Sequence, residues 1–204
     1  MEINFLFTII ILIMSVVIHE VSHGYVAFIL GDPTAKNAGR LTLNPFAHLD
    51  FFGSFIVPLL AYMSVGFMFG WAKPVPYNPD NLSNQKYGDA IVAVAGPASN
   101  FLVAIIFGLL IRFGALLGIA NPIFLSAAQV VVLLNLVLAI FNLVPIPPLD
   151  GSKILFSLIP YRYIEFRQTL ERYSFLFLLF FIFFLWKLLL PIIYFLNSFI
   201  IGLS

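Results

Sequence analysis

The chain has 204 residues, 62% of them hydrophobic and only 9% charged, with a mean hydropathy of +1.07. Soluble domains carry roughly 25% charged residues, so the composition excludes a water-soluble globule and points to an integral membrane protein. A formal net charge of +1 gives no footing for nucleic acid, and the absence of cysteine excludes disulfides and thiolate metal sites.

A spanning helix needs about 20 mostly apolar residues. Residues 3–30, 52–70, 90–111, 123–143 and 174–203 meet or approach that length. The first stretch is too long, and too polar at its end, for a cleaved signal peptide, and it reads as a permanent span. The connectors "GDPTAKNAGRLTLNPFAHLD", "GWAKPVPYNPDNLSNQKYGD" and "NLVPIPPLDGSK" read as loops or broken helix. None of them is long enough to bury a core of its own. The expected architecture is therefore an all-α polytopic membrane protein, one membrane-embedded domain over residues 1–204, with about 4–5 transmembrane helices. Residues 174–203 contain Lys187 and Pro191. They fit either one kinked crossing or a crossing followed by a half-helix.

Inside the first span lies "HEVSH", His19-Glu20-Val21-Ser22-His23. An ionisable group near the bilayer centre costs on the order of 3 kcal/mol, so three within five positions argue for function. Helix positions four apart lie one turn apart on nearly the same face, and both imidazoles can reach one ion. H-E-x-x-H on a helix is the zincin arrangement, two ligands with the intervening glutamate as general base. A catalytic zinc site takes three protein ligands and keeps one position open. His48, Asp50, Asp80, Asp89, Asp150, Glu165 and Glu171 are the remaining candidates. Asp150 stands out because Pro145, Pro147 and Pro148 break the helix before it and Gly151 permits an unusual turn. The plainer alternative is a loop aspartate after a helix.

These residues resemble the site-2 protease family of intramembrane zinc metalloproteases. The resemblance rests on "HEVSH", "GWAKPVPYNP", "AGPASN" and "NLVPIPPLDG", and it covers most of Val16 to Lys153. It implies one Zn²⁺ held by His19, His23 and Asp150, with Glu20 as catalytic base, and cleavage of membrane-anchored protein substrates within or next to their transmembrane segments. No PDZ module, CBS pair or earlier hydrophobic span is evident, so the sequence resembles the compact members. It leaves room for a regulatory membrane protein or self-association. The competing class is a non-catalytic zinc-binding membrane protein, a transporter or a scaffold. A transporter needs polar groups spaced along a path, whereas this chain has one tight cluster.

Zinc ligands stand about 2 Å from the metal, so the three must share one membrane depth. If residues 52–70 crossed fully, helix 1 and the helix before Asp150 would exit on opposite faces. A re-entrant or broken segment there, with Pro58, Gly66 and Gly70, lets the exits coincide. It also places Lys36, Arg40, Lys73, Lys86, Lys153, Arg162, Arg167 and Arg172 on one side against Arg112 alone. This reading describes a multi-pass protein of a prokaryotic cell membrane with its active site toward the cytoplasm.

Asn100 and Asn142 are candidates for binding substrate or the developing oxyanion, although asparagine in a membrane helix also serves interhelical hydrogen bonding. The small residues of "AGPAS" allow close helix approach, and "KPVPYNP" reads as an extended interfacial connector. His48 reads as an interfacial histidine rather than a ligand.

Overall fold

The computed structural model describes residues 5–50, 73–116, 118–119 and 121–202. The predicted re-entrant segment, residues 52–70, lies outside these. Among the described residues there is no strand, and the protein is an all-α, multi-pass membrane protein. Helix α1 spans Phe5–Ile29, α2 Gly88–Phe113 and α3 Pro122–Asn142. All three are long and apolar enough to cross a bilayer. Shorter helices come after them: α4 at Asp150–Leu158, α5 at Ile164–Arg172, α6 at Ser174–Phe180 and α7 at Leu190–Ile201.

Local sequence sets the boundaries. Asn121 caps α3, its side chain accepting from the N–H groups of Ile123 and Phe124, with Pro122 at the first position where no N–H is needed. The last apolar region is one broken helical run. A sharp bend of 68° separates α5 from the run Ser174–Leu188. Within that run a wide turn at Phe181–Leu185 and a tight one at Trp186–Leu188 lie between α6 and α7. Pro191 has no N–H to return to the carbonyl four residues earlier, which accounts for the interruption.

α2 is the central element and packs against α1, α3, α4 and α7. In lipid, burying aliphatic surface is no gain, so association rests on close packing and interhelical hydrogen bonds. Ala104, Val132, Leu136, Ile140 and Ile193 form the tightest cluster, between α2, α3 and α7. A Cβ at Gly108 would overlap the Ile200 side chain. Gln129 donates to Asn197 at 3.0 Å, tying α3 to α7.

The connection between α1 and α2 begins and ends on one face. Ser83 N–H donates to Leu30 carbonyl at 2.7 Å. Asp32, fully buried, accepts from Asn78 N–H at 2.7 Å, Asn81 Nδ2 at 2.8 Å and Thr34 Oγ1 at 2.6 Å. α1 therefore leaves and α2 enters the membrane on the same side, as the ligand-depth argument requires. Burial alone would push the Asp32 carboxyl up, but the bonds from Asn81, Thr34 and Asn78 win and hold it below the ordinary carboxylate range.

Asp32→Ala strands several buried donors at once. We expect a loss of about 3 kcal/mol, since bonds to a charged acceptor are worth roughly 1.5–3 kcal/mol each, read as a thermal midpoint lower by on the order of 10 °C in detergent. Because the folded carboxyl is held low, its contribution is complete above about pH 4 and fades as pH falls through the folded value. Asp32→Asn should flatten that acid limb.

Candidate metal centre

His19 and His23 lie on one face of α1, 6% and 7% exposed. Their rings are 4.6 Å apart and nearly perpendicular, which lets both Nε2 atoms address one point. Nε2 to Nε2 is 3.0 Å, and Asp150 Oδ2 stands 3.0 Å from His19 Nε2 and 3.2 Å from His23 Nε2. Among the described residues this is the one group of three such side chains able to hold a metal.

α4 delivers the carboxylate. The chain leaves α3 at Asn142, turns through the proline-rich stretch and restarts as helix at Asp150. The unusual backbone conformation expected at Gly151 is not there, since Gly151 is not among the glycines with positive φ. The residue supplies space instead. A Cβ there would lie 2.5 Å from the Val144 carbonyl oxygen and closer still to that of Leu143, so only glycine lets α4 start against the end of α3.

The donor chemistry tests whether a cation fits. His23 Nδ1 faces the Val92 carbonyl at 2.7 Å; a carbonyl only accepts, so Nδ1 carries the proton and Nε2 presents a lone pair. His19 Nδ1 faces Asn100 Oδ1 at 2.6 Å, with the same consequence. With neutral imidazoles two lone pairs and a carboxylate oxygen thus converge in a buried site, so that a cation, whether proton or metal ion, must sit among them. Donors about 2.0–2.1 Å from a tetrahedral Zn²⁺ are separated by roughly 3.3 Å, close to the three edges of this triangle. The residues fit a zinc ion, and each imidazole has the outer hydrogen-bond partner that metal-ligating histidines use.

Space for the imidazoles comes from α2. A Cβ at Gly96 would lie 2.5 Å from His19 Nε2 and closer to His23 Nε2. The "AGPAS" stretch therefore brings a bare helix backbone against the donor cluster.

Glu20, one residue along α1, accepts the Val75 N–H at 2.8 Å on Oε2. Val75 belongs to the non-helical Lys73–Tyr77 stretch, which meets α1 at Gly24, where a Cβ would lie 2.6 Å from Val75 Cγ1. Arg40, buried, braces the stretch by donating to the Lys73 carbonyl at 2.8 Å. Tyr77 hydroxyl donates to Asp89. His48 is buried and stands apart from the cluster; its Nε2 faces the Thr42 carbonyl and its own carbonyl accepts Lys73 N–H. Asn142 is half-buried with its Nδ2 turned back to the Leu138 carbonyl at 2.9 Å. Asn100 is fully buried, and its side chain is spent on His19, Ser15 and Asn135. Asn135 is absent from the sequence-based candidates although it carries the same signal as Asn100 and Asn142, an amide in an apolar helix. Gly96 has no sequence signal beyond its small size.

Gly96→Ala is expected to force the two imidazoles off their common point. Elemental analysis should find its zinc content at a small fraction of wild type while helix content by circular dichroism is kept.

A family model described as peptidase family M50 matches residues 117–185. The chain is 40% identical over 159 residues to a Bacillus subtilis protein named "Putative zinc metalloprotease YwhC", covering 76% of this chain and 69% of that protein. It is 32% identical over 139 residues to "Putative zinc metalloprotease Rip2" of Mycolicibacterium smegmatis, covering 68% of this chain and 52% of that protein. No solved structure matches it. With the Bacillus relative aligned over most of both chains, the protein belongs to peptidase family M50, the site-2 protease family, and is a zinc-dependent metalloprotease.

Proposed function

We propose that residues 1–204 act as one membrane-embedded unit that hydrolyses peptide bonds within or beside the transmembrane segments of membrane-anchored proteins. The observation that carries this reading is the convergence of His19, His23 and Asp150 on one point, with a carboxylate one residue away on the same helix. The rival reading as a metal transporter loses its footing with membership of a metalloprotease family.

In this reading His19 Nε2, His23 Nε2 and Asp150 Oδ2 hold the zinc. Bound zinc lowers the pKa of a coordinated water to about 7 and polarises the scissile carbonyl. Glu20 is the general base. Its Oε2 accepts the Val75 N–H, which leaves Oε1 for the proton it takes and later returns to the leaving amine. The buried imidazoles keep their Nδ1 protons throughout, held by Val92 and Asn100.

In this reading eight of the cations fall on the site's face, against Arg112 in the last turn of α2. The positive-inside rule makes that face cytoplasmic. A cavity of about 500 Å³, lined by Lys86, Asp89, Lys153, Phe156 and Arg167 among others, opens on the same side. Lys153, on its wall, sits one turn beyond Asp150 on α4. A helical peptide bond is shielded by its own hydrogen bonds, so the substrate must unwind first.

Two variants test the assignment. Glu20→Gln should keep zinc content near wild type while cleavage of a membrane-anchored substrate falls by at least a hundredfold, within the range for removing a general base. Unchanged proteolysis in purified protein defeats the mechanism. Asp150→Ala should lower zinc occupancy, and full retention moves the third ligand elsewhere.

A further inference from the structure

We infer that Asn135 and Ser15, neither of which touches the metal point, are positioning residues that fix the proton on His19 through Asn100. The inference rests on the zinc reading of the proposed function and concerns how this chain keeps one ligand ready.

The two nitrogens of a neutral imidazole are not equivalent. A ligand nitrogen must be free of its proton, so the other one must carry it. For His23 the choice is made by a backbone carbonyl, Val92, which can only accept. For His19 the partner is an amide side chain, and an amide can face a ring nitrogen with either its oxygen or its NH₂. Were Asn100 turned the other way, its NH₂ would favour a proton on His19 Nε2, where the metal belongs.

Two main-chain carbonyls settle the orientation. The Asn100 atom facing the Ser15 carbonyl at 3.2 Å must be Nδ2, since the carbonyl cannot donate. That same Nδ2 donates to Asn135 Oδ1 at 2.8 Å. Asn135 is held in turn, because its Nδ2 donates to the Val131 carbonyl at 2.9 Å and to Ser15 Oγ at 2.9 Å. Every amide N–H finds an acceptor, and the chain of bonds ends with Asn100 Oδ1 accepting from His19 Nδ1 at 2.6 Å. Reversing Asn100 would set Asn100 Oδ1 against the Ser15 carbonyl and Asn135 Oδ1, two acceptors without a proton between them.

All four side chains are buried, with Asn100 and Asn135 fully so. Low polarity around these buried groups strengthens each bond of the network. The relay also joins three helices, Ser15 and His19 on α1, Asn100 on α2 and Asn135 on α3. The ligand is thus held ready only when the three are packed together.

The test uses full-length protein in detergent. Asn135→Leu removes both amide groups at similar size, whereas Asn135→Asp, neutral when buried, restores an acceptor for Asn100 and a donor for Val131. In protein carrying ¹⁵N-histidine, wild type should show a proton held on His19 Nδ1 whether or not zinc is bound, and the chain has only three histidines to assign. The leucine variant should shift His19 toward the Nε2–H form while His23, fixed by backbone, stays unchanged. Its hold on zinc, measured by chelator competition, should weaken about tenfold or more, as outer-shell losses typically do; Asn135→Asp should return to within about threefold. A leucine variant with wild-type zinc affinity and His19 still in the Nδ1–H form overturns the inference. If that variant disturbs His23 as well, packing has failed, and the smaller Asn135→Ala change, which removes the same acceptor for Asn100 without the bulk, decides. A shift of His19 alone with weaker zinc binding supports the relay, and wild-type behaviour overturns it. Failure of wild-type protein to hold zinc would defeat the proposed function alone, because the proton on His19 is read without metal.

Discussion

The structure depends on three electron-rich atoms being forced together where water cannot separate them. His19 Nε2, His23 Nε2 and Asp150 Oδ2 lie within 3.2 Å of one another, in the buried half of a membrane helix bundle. Charge burial of this kind is tolerated only with a partner. In the proposed reading a divalent cation is that partner, and the fold around it can be understood as the means of bringing those atoms to one depth.

Several unrelated-looking features serve that end. α1 leaves and α2 enters on the same face, tied by Asp32 and by the Leu30–Ser83 bond. α3 can then run parallel to α1 and deliver Asp150 to the level of the histidines. Gly96 and Gly151 are small for steric reasons, the first against the imidazoles and the second against the end of α3. Helices held at this separation leave little tolerance, so a single methyl group at either glycine is felt at the metal point. The non-helical Lys73–Tyr77 stretch completes the site from the connector, giving Glu20 a backbone donor and taking its own support from Arg40.

Much of this is legible in the sequence, for physical reasons. Hydrocarbon thickness makes spans readable from length, and the apolar stretches 90–111 and 123–143 differ from α2 and α3 by one or two residues at each end. Polar groups are so costly in lipid that His19, Glu20 and His23 announce themselves, and shared ligand depth then constrains the topology. The hidden part is contact-specific. Nothing in the amide of Asn135 says that it reaches Asn100 rather than any other neighbour. The space needed at Gly96 is a property of the helix opposite. Gly151 reads as a conformational residue because glycine has two uses, and sequence does not separate freedom of φ from freedom from Cβ.

The metal is the claim on which the others rest, and its coordination can be measured directly. X-ray absorption at the zinc edge of purified wild-type protein should show one zinc per chain with two imidazole nitrogens and oxygen donors at about 2.0–2.2 Å. Protein that carries no zinc after purification with zinc supplied, or a zinc shell without imidazole, would contradict the account.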